Sequence, residues 1–109
     1  MNMKGFFNVA DAEELSLRRM KRVVVEGHDI ALFFDGGRAF AVQNDCPHQH
    51  FSMLHEGELK DCRITCPMHG WTFDLQTGRA TNGSGRLKRY AVKVADGSVW
   101  VGGRMAEET

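Results

Sequence analysis

The chain lacks the features that would tie it to a membrane or to a nucleic acid. No stretch of its 109 residues approaches the roughly 20 apolar residues that a membrane-spanning helix requires. Lysine plus arginine and aspartate plus glutamate both number 14, so no basic excess is available to neutralise phosphates. The N-terminal MNMKGFFNVADAEEL has one cation and a very short apolar run, unlike a secretory signal. We therefore expect a cytoplasmic protein with neither a membrane nor a nucleic-acid partner.

Cysteine and proline are also scarce, and both prolines directly follow a cysteine. The three cysteines are an odd number, and a reducing compartment makes structural disulfides improbable. The segments CPHQH and CPMHGW place Cys46 before Pro47 and Cys66 before Pro67, each with a histidine just beyond. In a reducing compartment, cysteines close to histidines point to a metal site or to catalysis.

The pattern of apolar residues and turn signals predicts a single all-β domain. A chain of 109 residues is the size of one domain, and no segment keeps a helical period for more than one or two turns. A helical turn with Asp11 as its cap is expected at 11–15. Turns are expected at 27–29, 35–37, 76–78 and 96–97, and strands at 6–10, 20–27, 30–34, 38–43, 62–65, 71–75, 90–95 and 98–102. We predict a small antiparallel barrel or sandwich that two Cys–His loops interrupt.

The two cysteines belong to a spaced pattern that can hold metal. Cys46-x-His48 is followed, after 17 residues, by Cys66-x-x-His69, so two thiolates and two imidazoles can fill four metal positions. Zinc and a two-iron cluster are the serious candidates. Zinc sites of the Cys₂His₂ type usually keep the cysteines together and the histidines together. Here each loop contributes one of each, which suits a [2Fe–2S] cluster with both cysteines on one iron and both histidines on the other.

These residues resemble the Rieske iron–sulfur proteins, whose motif is Cys-x-His, about 15–17 residues, then Cys-x-x-His. Cys46, His48, Cys66 and His69 match this motif one by one. The segments DIALFFDGGRAFAVQNDCPH, EGEL, CPMHGWTFDLQTG and YAVKV look like family segments in the family order, over roughly residues 6–102. The resemblance implies one Rieske domain over 1–109, with a cluster-binding subdomain of two loops at approximately 44–82. It also implies one [2Fe–2S] cluster held by those four residues.

Departures from one branch of the family predict a low reduction potential. High-potential Rieske proteins of respiratory complexes resemble CPCHGS-x-Y, with a loop disulfide and with serine and tyrosine hydroxyls bonded to sulfur. This chain has Met68, Trp71 and Phe73 at the Cys, Ser and Tyr positions. Because hydrogen bonds to sulfur stabilise the reduced, more negative cluster, their loss lowers the potential. We expect a value near the lower end of the Rieske range of roughly −150 to +300 mV.

The resemblance implies an electron carrier rather than an enzyme. We expect no membrane anchor and no mononuclear-iron domain of the kind found in Rieske oxygenases, and the resemblance then implies a stand-alone ferredoxin. Such proteins shuttle one electron from a flavin-dependent reductase to the terminal oxygenase of a ring-hydroxylating dioxygenase, in aromatic hydrocarbon catabolism, and we expect a monomer. One alternative is the small Rieske-like subunit of an assimilatory nitrite reductase. An alternative of another class is a zinc-binding structural module.

The remaining candidate residues receive less specific predictions. His50 could compete with His48, but the motif favours His48 and leaves His50 at an exposed rim. His28 and His55 are expected on the surface, and Cys62 as a half-buried thiol outside the ligand set. An apolar collar around the cluster is expected from Phe51, Met53, Leu54, Met68 and Trp71. A loose cover is expected at 83–85, where glycines replace the proline common in relatives. The basic run at 18–22 is expected to be solvated.

Overall fold

The computed structural model of the protein describes residues 5–46, 53–67, 70–82 and 85–104. In chain order its elements are β1 (Phe7–Asp11), α1 (Ala12–Arg18), β2 (Met20–Val25), β3 (His28–Asp35), β4 (Arg38–Gln43), a 3₁₀ turn (Leu54–Glu56), β5 (Glu58–Lys60), β6 (Arg63–Thr65), β7 (Thr72–Asp74), β8 (Arg89–Ala95) and β9 (Ser98–Arg104). Six strands form one sheet in the order β1-β9-β8-β4-β3-β2, and β5-β6-β7 form a second. All pairings are antiparallel, and the larger sheet is nearly closed, so the predicted all-β barrel class is confirmed.

Two-residue turns connect four of the hairpins, β2–β3, β3–β4, β5–β6 and β8–β9, with both residues at positive φ, as type I′ turns require. The predicted turn after Asp35 is confirmed, with Gly36 and Gly37 at its centre. The turn predicted at 27–29 was wrong, because Glu26 and Gly27 adopt the positive φ values and His28 already pairs with Val25 in the ladder. The strand predicted at 62–65 begins one residue later, since Asp61-Cys62 is the β5–β6 turn.

Helix α1 starts at the predicted cap and is longer than the single turn expected. The Asp11 carboxylate accepts hydrogen bonds from the amides of Glu13 (2.8 Å) and Glu14 (3.4 Å). The helix continues to Arg18, and Arg19 closes it in the left-handed region. Its one fully buried side chain is Leu15. Burial of Leu15 stabilises the longer helix, because a helix of this length depends on tertiary packing.

Within the described residues, no helix combines the length and the apolar character needed to cross a membrane.

Two apolar cores lie on opposite faces of strands β3 and β4. The cysteine-side core faces the smaller sheet and contains Ala31, Phe33, Phe40, Val42, Cys46, Leu54, Ile64, Cys66, Phe73, Leu75 and Leu87. The helix-side core lies against α1 and contains Ala10, Leu15, Ile30, Leu32, Ala41, Tyr90, Val99 and Val101. Successive side chains of a strand point to opposite faces, so the continuous apolar run IALFF supplies both cores at once. The cores place the larger sheet between α1 and the two cysteines.

Candidate metal centre

Cys46 and Cys66 come from different loops and are buried in the same core. Cys46 follows β4, and Cys66 directly follows β6. Their exposed fractions are 0% and 1%, and both belong to the cysteine-side core. The structure thus brings together the two thiols that the motif pairs across 20 positions of sequence. The other two predicted ligands, His48 and His69, lie outside the described residues, so their roles stay predictions.

The chemistry of the two thiols fits the thiolate half of a His₂Cys₂ cluster. The three cysteines, all of them within the described residues, form no disulfide. A thiolate is unfavourable in an apolar core unless a cation compensates its charge, and bound metal supplies that compensation. No group of three or more potential ligand side chains forms among the described residues. The other two ligands that the motif predicts, His48 and His69, are not among those residues.

The first loop is closed at its base by Asn44, which the sequence analysis did not single out. Asn44 is fully buried, and its backbone carbonyl accepts from the amide of Leu54 at 3.1 Å. Its side-chain oxygen accepts from the amide of His55 at 2.9 Å, and its side-chain nitrogen donates to Asp29 at 3.2 Å. These bonds join the two ends of the segment that carries Cys46. The only sequence signal was an amide residue directly after β4.

His55 is more buried than the surface position predicted for it. Its ring Nδ1 lies 3.0 Å from the side-chain nitrogen of Asn44, and its Nε2 lies 3.5 Å from a carboxylate oxygen of Glu56. The predicted surface position holds only in part, because the 3₁₀ turn folds back onto Asn44, which no local pattern shows. His28 is exposed, as predicted.

The second loop is closed like a short hairpin between β6 and β7. The amide of Cys66 donates to the carbonyl of Trp71 at 2.7 Å. The hydroxyls of Thr65 and Thr72 are hydrogen-bonded at 2.9 Å. Within the loop Gly70 has a φ of 69°, a left-handed conformation that favours glycine. The bonds at the base hold the backbone of Cys66 next to that of Trp71.

Two of the five residues of the predicted collar, Leu54 and Trp71, lie in or against the core that contains both thiols, whereas Met53 is half-buried and does not belong to that core. Leu54 is fully buried in the cysteine-side core, and Trp71 packs against that core while half-buried. Phe73, at the position of the tyrosine in high-potential relatives, is fully buried there and has no hydroxyl to offer. Phe51 and Met68 lie outside the described residues. The described part of the collar excludes water and contributes no side-chain donor from position 73.

A third segment runs beside the second loop. The amide of Asp74 donates to the carbonyl of Arg79 at 2.9 Å, and the amide of Thr81 donates to the carbonyl of Thr72 at 2.8 Å. The side chain of Asn82 then accepts from the amide of Thr72 at 2.9 Å and donates to the carbonyl of Gly70 at 3.0 Å. The looser cover predicted for 83–85 stays a prediction, because Gly83 and Ser84 lie outside the described residues.

Asp35 joins the two sheets at the far end of β6. Its carboxylate accepts from the amide of Cys62 at 2.9 Å and pairs with Arg19 at 2.6 Å. The pKa of Asp35 is lowered, chiefly by the hydrogen bond from the Cys62 amide, with Arg19 adding to it against the opposing effect of burial. The Cys62 thiol is half-buried, as predicted, and donates to the carbonyl of Asp35 at 3.7 Å. Cys62 precedes β6 and Cys66 follows it, so the strand separates the two thiols.

The basic run near α1 is largely compensated by neighbouring carboxylates. Arg19 pairs with Asp35, as described above. Lys21 pairs with Glu14 at 2.9 Å, and Arg22 pairs with Asp29 at 2.9 Å. Most of the local positive charge is therefore neutralised within the protein itself.

Comparison with known proteins identifies the sequence relatives of this site. The family model described as the Rieske [2Fe–2S] domain matches residues 5–92. A 3-phenylpropionate/cinnamic acid dioxygenase ferredoxin subunit of Photorhabdus laumondii is 41% identical over 76 residues, covering 67% of this chain and 71% of that protein. A 4beta-methylsterol monooxygenase of Methylococcus capsulatus is 37% identical over 99 residues. That match covers 80% of this chain but only 27% of the monooxygenase, so the chain spans about a quarter of the longer relative.

Solved structures share the fold over nearly the whole chain. In a complex of reduced oxygenase and oxidized ferredoxin in carbazole 1,9a-dioxygenase, one chain superposes with a TM-score of 0.84 and 29% identity, over 98% of this chain and 100% of that chain. A putative nitrite reductase NADPH small subunit superposes with a TM-score of 0.79 and 22% identity, over 88% of this chain and 96% of that chain. At that identity the second likeness shows the fold alone.

Proposed function

This chain belongs to the Rieske [2Fe–2S] domain family and carries one [2Fe–2S] cluster, and we propose that it passes single electrons from a flavin-dependent reductase to a terminal aromatic-ring dioxygenase. The observation that supports this most directly is the burial of Cys46 and Cys66, from two separate loops, in one apolar core. The ferredoxin subunits among its relatives, of which this chain spans about 70%, support the carrier role. It is an electron-transfer component and not itself an enzyme.

We assign the four positions of the motif as the cluster ligands. Cys46 and Cys66 would hold one iron through their thiolates, and His48 and His69 would hold the other through ring nitrogens. When bound, the cluster supplies reversible one-electron redox chemistry. The chain excludes water from the thiolates with Leu54, Trp71 and Phe73. It also closes each ligand loop by hydrogen bonds at its base.

The side chain at position 73 supports a low reduction potential for the cluster. Phe73 is buried among the residues around the two thiols and has no hydroxyl that could donate to sulfur. Because such donors favour the reduced cluster, we expect a midpoint near the lower end of the range of roughly −150 to +300 mV. Protein-film voltammetry or a dye-mediated titration of the purified holoprotein measures it. A clearly positive midpoint would contradict the assignment to the low-potential class.

We propose a cluster-binding subdomain at 44–82 within one domain spanning 1–109. We also propose that the protein is a monomer in the cytoplasm. Both ligand loops and the smaller sheet, β5-β6-β7, fall within 44–82. The subdomain is inserted between β4 and β8, which are neighbours in the larger sheet. Limited proteolysis that releases no stable fragment would agree with one domain, and sedimentation gives the oligomeric state.

Electron transfer between purified proteins tests the function. The holoprotein is reduced by a flavin-dependent reductase and mixed, without oxygen, with either an aromatic-ring dioxygenase oxygenase component or a nitrite reductase catalytic subunit. We expect rapid oxidation of the holoprotein by the oxygenase component. If only the nitrite reductase subunit oxidises the holoprotein rapidly, the chain is better described as the small Rieske-like subunit of an assimilatory nitrite reductase. A colourless protein that binds zinc and no iron would favour the structural-module alternative and exclude the carrier role.

A further inference from the structure

The segment 79–82 continues the smaller sheet as an additional, irregular strand beside β7. The backbone bonds from Asp74 to Arg79 and from Thr81 to Thr72 have antiparallel geometry, and Phe73 forms a bridge with Ala80. The regular backbone pairing of this segment stops at Thr81, one residue short of the second ligand loop. The side chain of Asn82 takes over at that point.

The Asn82 carboxamide substitutes for a peptide group in this ladder. Like a peptide group it offers a carbonyl oxygen that accepts and an N–H that donates, and both ends are hydrogen-bonded here. Its oxygen accepts from the Thr72 amide at 2.9 Å, while its nitrogen donates to the Gly70 carbonyl at 3.0 Å. The side chain thereby extends the pairing of β7 to Gly70, which directly follows the proposed ligand His69.

Among the described residues, nothing packs on Gly70 on the side where a Cβ would stand, so hydrogen bonds carry more of the positioning of this residue. Apart from Gly70 and the residues next to it in the chain, no described atom lies within 4 Å of the place where a Cβ on Gly70 would stand. Gly70 is exposed, and its left-handed φ of 69° makes it a point at which the backbone turns. At this position the hydrogen bond from the Asn82 side chain ties the loop to a strand-like segment.

We propose that Asn82 is a positioning residue that holds the second ligand loop in the conformation that binds the cluster. The inference rests on the proposed ligand set. Asn82 is bonded to Gly70, the residue after the proposed ligand His69, and affects cluster retention only if His69 is a ligand. Asn82 touches no proposed ligand atom in the described residues and is exposed, so its removal should affect the loop more than the core. Water that reaches the cluster through a loosened loop would also stabilise its reduced form and raise its potential.

Substitution of Asn82 in the holoprotein tests this role, with Asn8 as a matched control. Asn8 is also exposed, and its side chain makes one hydrogen bond, to Ser98, in the larger sheet. We expect Asn82→Ala to release iron to a chelator faster, on the order of tenfold, with an upward shift of the midpoint potential. Asn82→Asp keeps the acceptor for Thr72 but loses the donor for Gly70, so its release rate should lie in between. Asn8→Ala should match the unsubstituted protein in both measurements.

The result that overturns the inference is iron release and a midpoint potential for Asn82→Ala equal to those of Asn8→Ala. If Asn82→Ala cannot be recovered folded, the same comparison is made with Asn82→Asp, and equal release rates again overturn it. If the unsubstituted protein binds no cluster, the proposed function fails, and amide hydrogen exchange of Thr72 then decides the loop role separately. Faster exchange of that amide in Asn82→Ala than in Asn8→Ala supports the hydrogen-bond clamp, and equal exchange rejects it.

Discussion

At the scale of single residues, polar groups at loop ends decide where the two thiols stand. Asn44 is the one buried polar residue of the described chain that closes the Cys46 loop, and Asn82 extends the pairing that holds the Cys66 loop. Each carboxamide satisfies backbone groups that a loop would otherwise leave to water. The ligands themselves are thus only part of the residue-level description of the site.

Substituting His48 and His50 one at a time shows which of the two histidines is the cluster ligand. We expect His48→Ala to lose the cluster, because an iron loses one of its ligands, whereas His50→Ala should keep it. Iron and sulfide content together with the visible absorption of each purified variant give the measurement. Loss of the cluster in His50→Ala with retention in His48→Ala would reverse the assignment.

Asp35 gives the folded protein a predictable dependence on pH. Because its pKa is lowered on folding, its contribution to stability is present above the ordinary value near 3.9 and is lost as the pH falls through the folded value. Asp35→Asn should therefore be less stable at neutral pH by about 1 kcal/mol and should lose less stability on acidification. Thermal unfolding between pH 6 and pH 3 measures the difference. Asp96→Asn, in the β8–β9 turn, is the control, and parallel curves for Asp35→Asn and the unsubstituted protein would contradict the prediction.

At the scale of elements, the smaller sheet positions the second ligand loop. Its strands have only three residues each, so close backbone contacts rather than length determine its register. The tightest described contact is at Gly57, where a Cβ would stand 2.2 Å from the carbonyl oxygen of Thr65. Thr65 is the last residue of β6 and precedes Cys66. A disturbance at Gly57 would therefore reach the ligand loop through one strand.

The substitution Gly57→Ala should force β6 to move. We expect the free energy of unfolding to fall by about 1–3 kcal/mol, because the added methyl group overlaps backbone that cannot turn aside. Cluster retention should fall as well, since Cys66 moves with the strand. Denaturant unfolding and chelator-driven iron release measure the two effects. Glu58→Ala, an exposed change in the adjacent strand residue, should leave both close to their original values, and equal behaviour of the two variants would contradict the prediction.

At the scale of the whole molecule, the larger sheet separates two cores with different roles. The helix-side core anchors α1 and the cysteine-side core surrounds the two thiols, while β3 and β4 contribute to both. Asp35 adds a polar link between the larger sheet and the β5–β6 turn. The barrel therefore stabilises the fold, and the smaller sheet against its outer face shapes the metal centre.

Truncating one buried leucine in each core should separate stability from cluster binding. Leu15→Ala and Leu54→Ala remove the same atoms from fully buried positions, and each should lower the free energy of unfolding by about 2–5 kcal/mol. Only Leu54→Ala should change the visible and paramagnetic spectra of the holoprotein, because only Leu54 packs in the core that holds Cys46 and Cys66. Thermal unfolding and spectroscopy on the same preparations make the comparison. Equal spectral changes in both variants would contradict the separation of the cores.

The sequence by itself determined the strand pattern and the chemistry of the ligand motif, because both depend on residues close together along the chain. Alternation, β-branched residues and glycine pairs predicted most strands, and the two Cys–His loops identified the family of the site. Only the tertiary structure decided which polar side chains support those loops. Asn44 meets His55 across 11 residues, Asn82 meets Gly70 across 12, and Asp35 meets Cys62 across 27. Such partners are chosen by the packing of the two sheets, which no local periodicity encodes.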